Sequence, residues 1–270
     1  MLQAIKETVS YIKSKVDNVP TTAIILGTGL GGIVDEITDK QILDYHSIPN
    51  FPVSTVEGHK GMLIMGKLGK KDVMVMQGRF HFYEGYTMEE VTFPIRVMKY
   101  LGVTQLIVSN AAGGMNPDFE VGDIMIINDH INTMPNPLIG PHNPEFGERF
   151  PDMSETYDKE TINLAKSLAK DLSIDVQEGC YVGVTGPTLE TPKEYQYMRI
   201  IGGDAVGMST VPECIVAHQM GIKIFAVSVI TDLGVPGKIV AISHQDVMAA
   251  AAKTAPKLTR LIIQLIEKSQ

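Results

Sequence analysis

The chain has 270 residues, 44% of them hydrophobic and 20% charged, with a formal net charge of −8 and two cysteines. This length supports one sizeable core, and the acidic balance argues against nucleic acid or an anionic membrane as the main partner, since both reward a basic surface. Any bound anion must therefore be held by a local pocket. Residues 1–15 carry Lys6, Glu7, Lys13 and Lys15 among spaced apolar side chains, which predicts an amphipathic helix and leaves no apolar stretch for a signal peptide or membrane span. Thr22–Leu26 reads as a strand entering a Gly-rich turn, followed by a short helix near residues 30–37. Residues 61–68 and 71–76 read as two strands joined at Gly69-Lys70. Residues 87–101 have helical spacing, with a kink or early bend expected at Pro94. Further strands are expected at 104–108 and 123–128, before a long Pro/Asn/Gly/Phe-rich stretch at 132–157 of the kind that usually carries function. A helix at 158–172, a strand at 177–185 and a helix from Thr191 to residue 201, with Pro192 at its first position, come next. Residues 223–230 form a strong buried strand, and Ser243 with Asp246 offers a capping box for a final helix to about residue 267. No repeat or linker divides the chain, so one α/β domain spanning 1–270 is expected around a central sheet. Cys180 and Cys214 lack metal-ligand spacing, and reduced thiols in a cytoplasmic protein are expected over the alternative of one disulfide.

Several strand ends carry candidate chemistry. Gly27-Thr28-Gly29-Leu30-Gly31-Gly32 satisfies G-x-G-x-x-G, with Asp44 near the position of a ribose-binding acid. The same turn would equally hold free phosphate through its backbone N–H groups and Thr28, or be a plain turn. Gln77-Gly78-Arg79-Phe80-His81-Phe82-Tyr83-Glu84-Gly85-Tyr86 comes after an apolar run. If it stays extended, Arg79, His81 and Tyr83 share one face, with Phe80 and Phe82 on the other. A cation, an imidazole and a phenol on one wall suit phosphate plus sugar; the bland alternative pairs Arg79 with Glu84. Interleaved basic and aromatic residues also suit single-stranded nucleic acid, which the net charge disfavours. Ser109-Asn110-Ala111-Ala112-Gly113-Gly114 is a ligand loop or a close-packed one. Glu190, after Gly186-Pro187-Thr188-Leu189, is a surface acid or an acceptor for a heterocycle's N–H groups. Ser209 and Thr210 precede a helix near Val211-Pro212 and are N-cap residues or anion ligands. Asp232 reads as a turn residue after the buried strand, and His244 as a first-turn residue of the last helix.

In this order and at these spacings, the motifs resemble the trimeric family of purine nucleoside phosphorylases, from the Gly27 turn to His244. Long strings carry the likeness: residues 77–86, Val91-Thr92-Phe93-Pro94, 110–116 and 204–213. The resemblance implies a nucleoside phosphorylase fold, an α/β arrangement with a distorted central mixed sheet flanked by helices, assembled as a homotrimer. It implies reversible phosphorolysis of purine (deoxy)ribonucleosides, with phosphate as co-substrate and no metal or organic cofactor. Carried over by position, Thr28, Arg79, His81, Ser209 and the Ala111 amide bind phosphate, with His59 (in Glu57-Gly58-His59) close by. Tyr83, the Met208 backbone and His244 contact ribose, and Phe150 reaches a neighbouring subunit's site. Glu190, Thr231, Asp232 and Leu189 face the base, and His81, Glu190 and Asp232 are the catalytic groups.

Three positions depart from the family pattern. Asp232 stands where members specific for 6-oxopurines carry Asn; an ionised Asp only accepts hydrogen bonds, which suits a 6-amino group or N7–H and repels O6. A protonated Asp232 would instead donate to N7. The expected substrates are therefore 6-oxopurine nucleosides recognised through Glu190, with broadening toward adenosine. Thr188 and Leu189 replace the family's frequent Ser and aromatic, so Leu189 packs on the base without stacking. Methylthioadenosine phosphorolysis, a nicotinamide-dependent oxidoreductase and a non-catalytic nucleoside-binding protein are the competing readings. The first is opposed by His244, a polar partner for a 5′-hydroxyl where a methylthio group would want an apolar one.

Overall fold

A computed structural model describes residues 1–56 and 58–269; Glu57 and Gln270 lie outside it. Helix α1 (Leu2–Lys13) buries Ile5, Thr8 and Ile12, the stripe that its spacing predicts. The remaining elements are β1 (Thr22–Leu26), β2 (Ile37–Asp44), β3 (Met62–Leu68), β4 (Lys71–Gln77), α2 (Met88–Leu101), β5 (Gln105–Gly114), β6 (Ile124–Asn132), α3 (Lys159–Asp171), β7 (Val176–Gly183), α4 (Pro192–Ile200), β8 (Ala205–Gly207), α5 (Val211–Gln219), β9 (Lys223–Leu233) and α6 (His244–Lys268). Among the described residues, nine strands join one sheet in the order β2-β3-β4-β1-β5-β8-β7-β6-β9. Because β5 also pairs with β9, the second half of that sheet closes on itself. Parallel and antiparallel pairings both occur around it, so the sheet is mixed and distorted as expected. The apolar runs of β1, β4 and β9 are buried on both faces, which is why they read as continuous hydrophobic segments.

The structure departs from the sequence reading in four places. Two short or irregular strands, β2 and β8, have no clear signature: β2 is an edge strand whose register shifts between Thr38 and Gln41, and β8 has only three residues. Both β5 and β9 run several residues beyond their apolar cores, because Gly113 pairs with Asp232 and Gly114 with Leu233. The segment Ser109 to Gly114 is therefore strand, and Asp232 belongs to a strand rather than a turn. Helix α2 continues through Pro94; residues 91–98 are all buried, and packing holds the helix past the missing N–H.

The fourth departure removes the dinucleotide reading. After the Gly turn come a 3-10 helix, Gly31–Glu36, and the edge strand β2, which runs antiparallel to β3. A dinucleotide fingerprint needs a strand–helix–parallel strand unit, and the Gly turn does not lead into one. Asp44 is exposed and accepts from the His46 amide at 2.8 Å, capping the next turn. Gly27 is instead explained by close approach, since a Cβ there would lie 2.6 Å from the Asn110 Cα on β5. Both cysteines are free thiols, and burial pushes Cys180 up to about 11 and Cys214 up to about 12.

Candidate functional site

A cavity of about 460 Å³ opens at the carboxyl ends of β1, β5, β8 and β9, where open α/β sheets place their ligands. It collects Thr28, Arg79, His81, Tyr83, Ala111, Leu189, Glu190, Met208, Ser209, Thr231, Asp232 and His244. His59 stands directly behind that wall, its ring stacked on His81 with centroids 5.2 Å apart. Phe150 is not brought to the cavity of its own chain: it is 87% exposed, with the Arg149 guanidinium over its ring at 5.7 Å.

The expected extended wall is only partly extended. Gly78 takes φ +116°, and Phe82–Glu84 form a single 3-10 turn. Arg79, His81 and Tyr83 still face one cavity, while Phe80 packs into the aromatic core with Tyr45 and Tyr86. Phe82, only half-buried, does not share that core.

Arg79 is 1% exposed, and its buried partner is Glu213, not Glu84: Nε donates to Glu213 Oε1 at 3.2 Å. Its Nη1 donates to the Ser109 carbonyl at 3.1 Å and to Ser209 Oγ at 2.9 Å. Its Nη2 is buried with no hydrogen-bond partner among the described residues. A guanidinium nitrogen left in that state beside a cavity is a donor prepared for an anion. Ser209 is presented by an unusual backbone. Thr210 sits at φ +71° and ψ −55°, and the Val211 amide donates to the Ser209 carbonyl at 2.7 Å, closing a γ-turn. This turn is strained for a non-glycine residue. Three hydrogen bonds hold it: the Thr210 amide donates to Glu213 Oε2 at 2.8 Å, and Thr210 Oγ1 receives Asn110 Nδ2 at 2.9 Å and Arg79 Nη1 at 3.5 Å.

The two histidines are set up as neutral bases. Burial, reinforced by the neighbouring His81, lowers His59 from 6.5 to about 4. Burial also lowers His81, although Glu84 acts in the opposite direction. His81 Nδ1 lies 2.9 Å from Glu84 Oε1, and an ionised carboxylate can only accept, so Nδ1 carries the proton and Nε2 keeps its lone pair. Burial works to raise Glu84, but hydrogen bonds from His81 and Thr55 outweigh it and hold it at about 2.

His59 gives a stability prediction. Its folded value lies below its unfolded value, so between pH 6.5 and 4 the unfolded chain takes up a proton that the native chain refuses. Stability then falls as pH drops through that window. Melting temperatures from pH 7.5 to 4.5 should therefore fall less steeply for His59→Gln than for the parent; parallel curves would show that His59 does not contribute.

Glu190 and Asp232 form the other end of the cavity. Burial raises both carboxyls, and the Asp232 charge raises Glu190 further. Asp232 Oδ1 accepts from Thr231 Oγ1 at 3.0 Å, and Oδ2 accepts from the Tyr195 hydroxyl at 3.2 Å. Tyr83 is pushed up to about 12, chiefly by burial, so its phenol is a neutral donor and acceptor. His244 is the first residue of α6, behind the Ser243–Asp246 capping box that the sequence predicts. Leu189 sits at the rim, 47% exposed.

Sequence reasoning missed Glu213, Asn110 and Tyr195 as individual site residues. Glu213 had a signal: an acid three residues after Thr210, inside an otherwise apolar helix, is a capping-box acid that must be buried. Tyr195 had none, since an aromatic on the inner face of α4 reads as core. Among the described residues no group of three or more His, Cys, Asp or Glu side chains is placed to hold a metal, and no helix is long and apolar enough to cross a membrane.

The chain is similar to known proteins along nearly its whole length. Residues 21–267 match the family described as the phosphorylase superfamily. The chain is 51% identical to purine nucleoside phosphorylase 1 of Bacillus subtilis, over 98% of each chain. Among solved structures, that of Schistosoma mansoni purine nucleoside phosphorylase in complex with adenosine is similar at a TM-score of 0.95 and 41% identity, covering 100% of this chain and 98% of that one. The structure of the Schistosoma mansoni enzyme with inosine gives 0.94 and 40%, covering 100% and 97%.

Proposed function

The chain belongs to the purine nucleoside phosphorylases of the phosphorylase superfamily, and from that premise we propose how its cavity divides the work of the reaction. The chain catalyses reversible phosphorolysis of purine nucleosides to the free base and pentose 1-phosphate. A phosphate oxygen forms the new bond to C1′ as the C1′–N9 bond breaks and its electron pair leaves with the purine. The sugar passes through a cationic, oxocarbenium-like state, so phosphate both attacks it and stabilises it. The proton that hydrogen phosphate loses on becoming the pentose 1-phosphate dianion ends on the purine, at N7, and completes the neutral base. Holding phosphate beneath C1′ removes much of the entropic cost of their meeting in water.

The observation that carries this reading is the buried Arg79, with an unpartnered Nη2 and a positioned Ser209, in the same cavity as the Glu190–Asp232 pair. Arg79, Ser209, Thr28 and the Ala111 amide bind phosphate. His81 Nε2, left with its lone pair, accepts from a protonated phosphate oxygen, and His59 buttresses its ring. Tyr83, Met208 and His244 bind the ribose. Glu190 accepts N1–H of a 6-oxopurine, while Thr231, Asp232 and Leu189 complete the base pocket. Glu190 and Asp232 also assist the leaving base. Asp232 extends the activity to adenosine, because an ionised carboxylate accepts from a 6-amino group; the related Schistosoma mansoni enzyme forms complexes with both adenosine and inosine. Phosphate is a co-substrate, and the reaction needs no metal or organic cofactor. The exposed Phe150 favours a homotrimer in which this ring completes a neighbour's site. The protein acts in the cytoplasm as a single domain in purine salvage.

Base release from inosine, guanosine and adenosine, measured with and without phosphate, tests the proposal. Inosine and guanosine should release base only when phosphate is present, with adenosine slower than inosine. Adenosine turnover equal to the blank would remove the extension to 6-aminopurines. Binding without phosphorolysis would favour a non-catalytic nucleoside-binding protein, and a preference for 5′-methylthio substrates would overturn the role of His244.

A further inference from the structure

Tyr195 is 4% exposed and lies on the first turn of α4, the segment that begins just after Glu190. Its position is fixed from both sides. Thr191 caps the helix, its Oγ1 accepting from the Glu194 amide at 3.2 Å, with Pro192 as the first helical residue. On the other side, the ring lies flat against Gly234, where a Cβ would overlap it. A Cβ on Gly113 would come within 3.0 Å of Asp232 Oδ2 and 3.4 Å of the Tyr195 hydroxyl, so this glycine too keeps the space in which the two meet. The hydroxyl donates to Asp232 Oδ2 at 3.2 Å, while Thr231 donates to Oδ1 at 3.0 Å.

We propose that Tyr195 is a positioning residue which holds Asp232 as a hydrogen-bond acceptor for an exocyclic 6-amino group, and thereby sets the ratio of 6-aminopurine to 6-oxopurine recognition. The inference rests on the assignment of Asp232 to the purine edge. Each carboxylate oxygen has two lone pairs, so one donor apiece from Tyr195 and Thr231 leaves acceptor capacity toward the cavity. Burial drives Asp232 toward its neutral form, and the Tyr195 and Thr231 hydrogen bonds oppose that drive. Without the Tyr195 hydroxyl, the balance moves toward a protonated Asp232, which donates rather than accepts and suits O6 or N7 instead of an amino group.

Tyr195→Phe removes only the hydroxyl and keeps the ring that covers Gly234. The experiment measures dissociation constants of adenine and hypoxanthine by calorimetry for the parent, Tyr195→Phe, Asp232→Asn and the double variant, beside phosphate-dependent turnover of adenosine and inosine. Tyr195→Phe should weaken adenine relative to hypoxanthine by about tenfold, the scale of one hydrogen bond to a charged group. Most of that ratio change should disappear once Asp232 is Asn, because the hydroxyl donates to that carboxylate; the remainder comes from the same hydroxyl favouring the ionised form of Glu190. Equal weakening of both bases, the same ratio change in the Asp232→Asn background, or no detectable adenine binding by the parent would each overturn the proposal. Absence of phosphate-dependent turnover would defeat the functional reading, while the base titrations would still decide the role of Tyr195.

Discussion

Arg79→Ala will raise the phosphate concentration needed for half-saturation by about a hundredfold or more, and will weaken base binding far less. The guanidinium is the only group at the phosphate end that offers a fixed positive charge together with a buried, unpartnered N–H donor among the described residues. Hydrogen bonds to a charged group are worth about 1.5–3 kcal/mol each, and two of them with a divalent anion account for a loss of that size. The same substitution leaves Glu213 buried without its cation. Breaking a buried pair from one side costs about 3–5 kcal/mol of stability, so a lower melting temperature should accompany the kinetic defect. Arg79→Lys separates the two effects: it keeps a charge opposite Glu213 but loses the fork that also reaches Ser109 and Ser209. It should therefore fold well and still need much more phosphate. Initial rates against phosphate at saturating inosine measure both variants; unchanged phosphate saturation in a folded variant would take Arg79 out of the phosphate site.

The second large effect is expected at the other end of the cavity. Glu190→Ala should lower kcat/KM for inosine by about 10²–10³-fold, the usual cost of deleting one preorganised polar group that acts on the departing base. Phosphate saturation should change little, because the hydrogen bonds of Arg79 and Ser209 run to Glu213, Ser109 and Thr210 rather than to Glu190. Glu190 must be ionised to accept N1–H, so inosine activity falls as pH drops and the carboxyl protonates. Burial, with Asp232 nearby, lifts its folded value above that of an ordinary carboxylate, so the acid limb should begin at a higher pH than an exposed Glu would give. Glu190→Gln should flatten that limb while lowering the plateau. A limb that persists unchanged in Glu190→Gln would assign it to another group, with Asp232 the nearest alternative.

Much of this protein could be read locally because local rules govern it. The Ser243–Asp246 and Thr191–Glu194 capping boxes, Pro192 at a helix start and the α1 stripe rest on contacts three to four residues apart. The buried strands are legible because both faces are apolar. Motif strings at strand ends pointed to Arg79, His81, Glu190 and Ser209, and the fold gathers them in one cavity. Local rules also misled. The Gly27 turn satisfies a dinucleotide pattern, yet it leads into a 3-10 helix and an antiparallel edge strand.

By itself, the sequence determined the α/β class, most element positions, the family and most of the side chains that line the candidate cavity, since each depends on residue type and short-range spacing. Tertiary structure decided who partners whom. The Arg79–Glu213 bond spans 134 residues, and the Tyr195–Asp232 bond spans 37 across two elements. Neither can be inferred from spacing along the chain. The register of β5 against β9, which brings Gly113 opposite Asp232, and the closure of the sheet around it set those distances. Burial then sets the chemistry: the same closure that removes water lowers the histidines and raises the two carboxyls, a property of the packed interior that no local stretch of residues possesses.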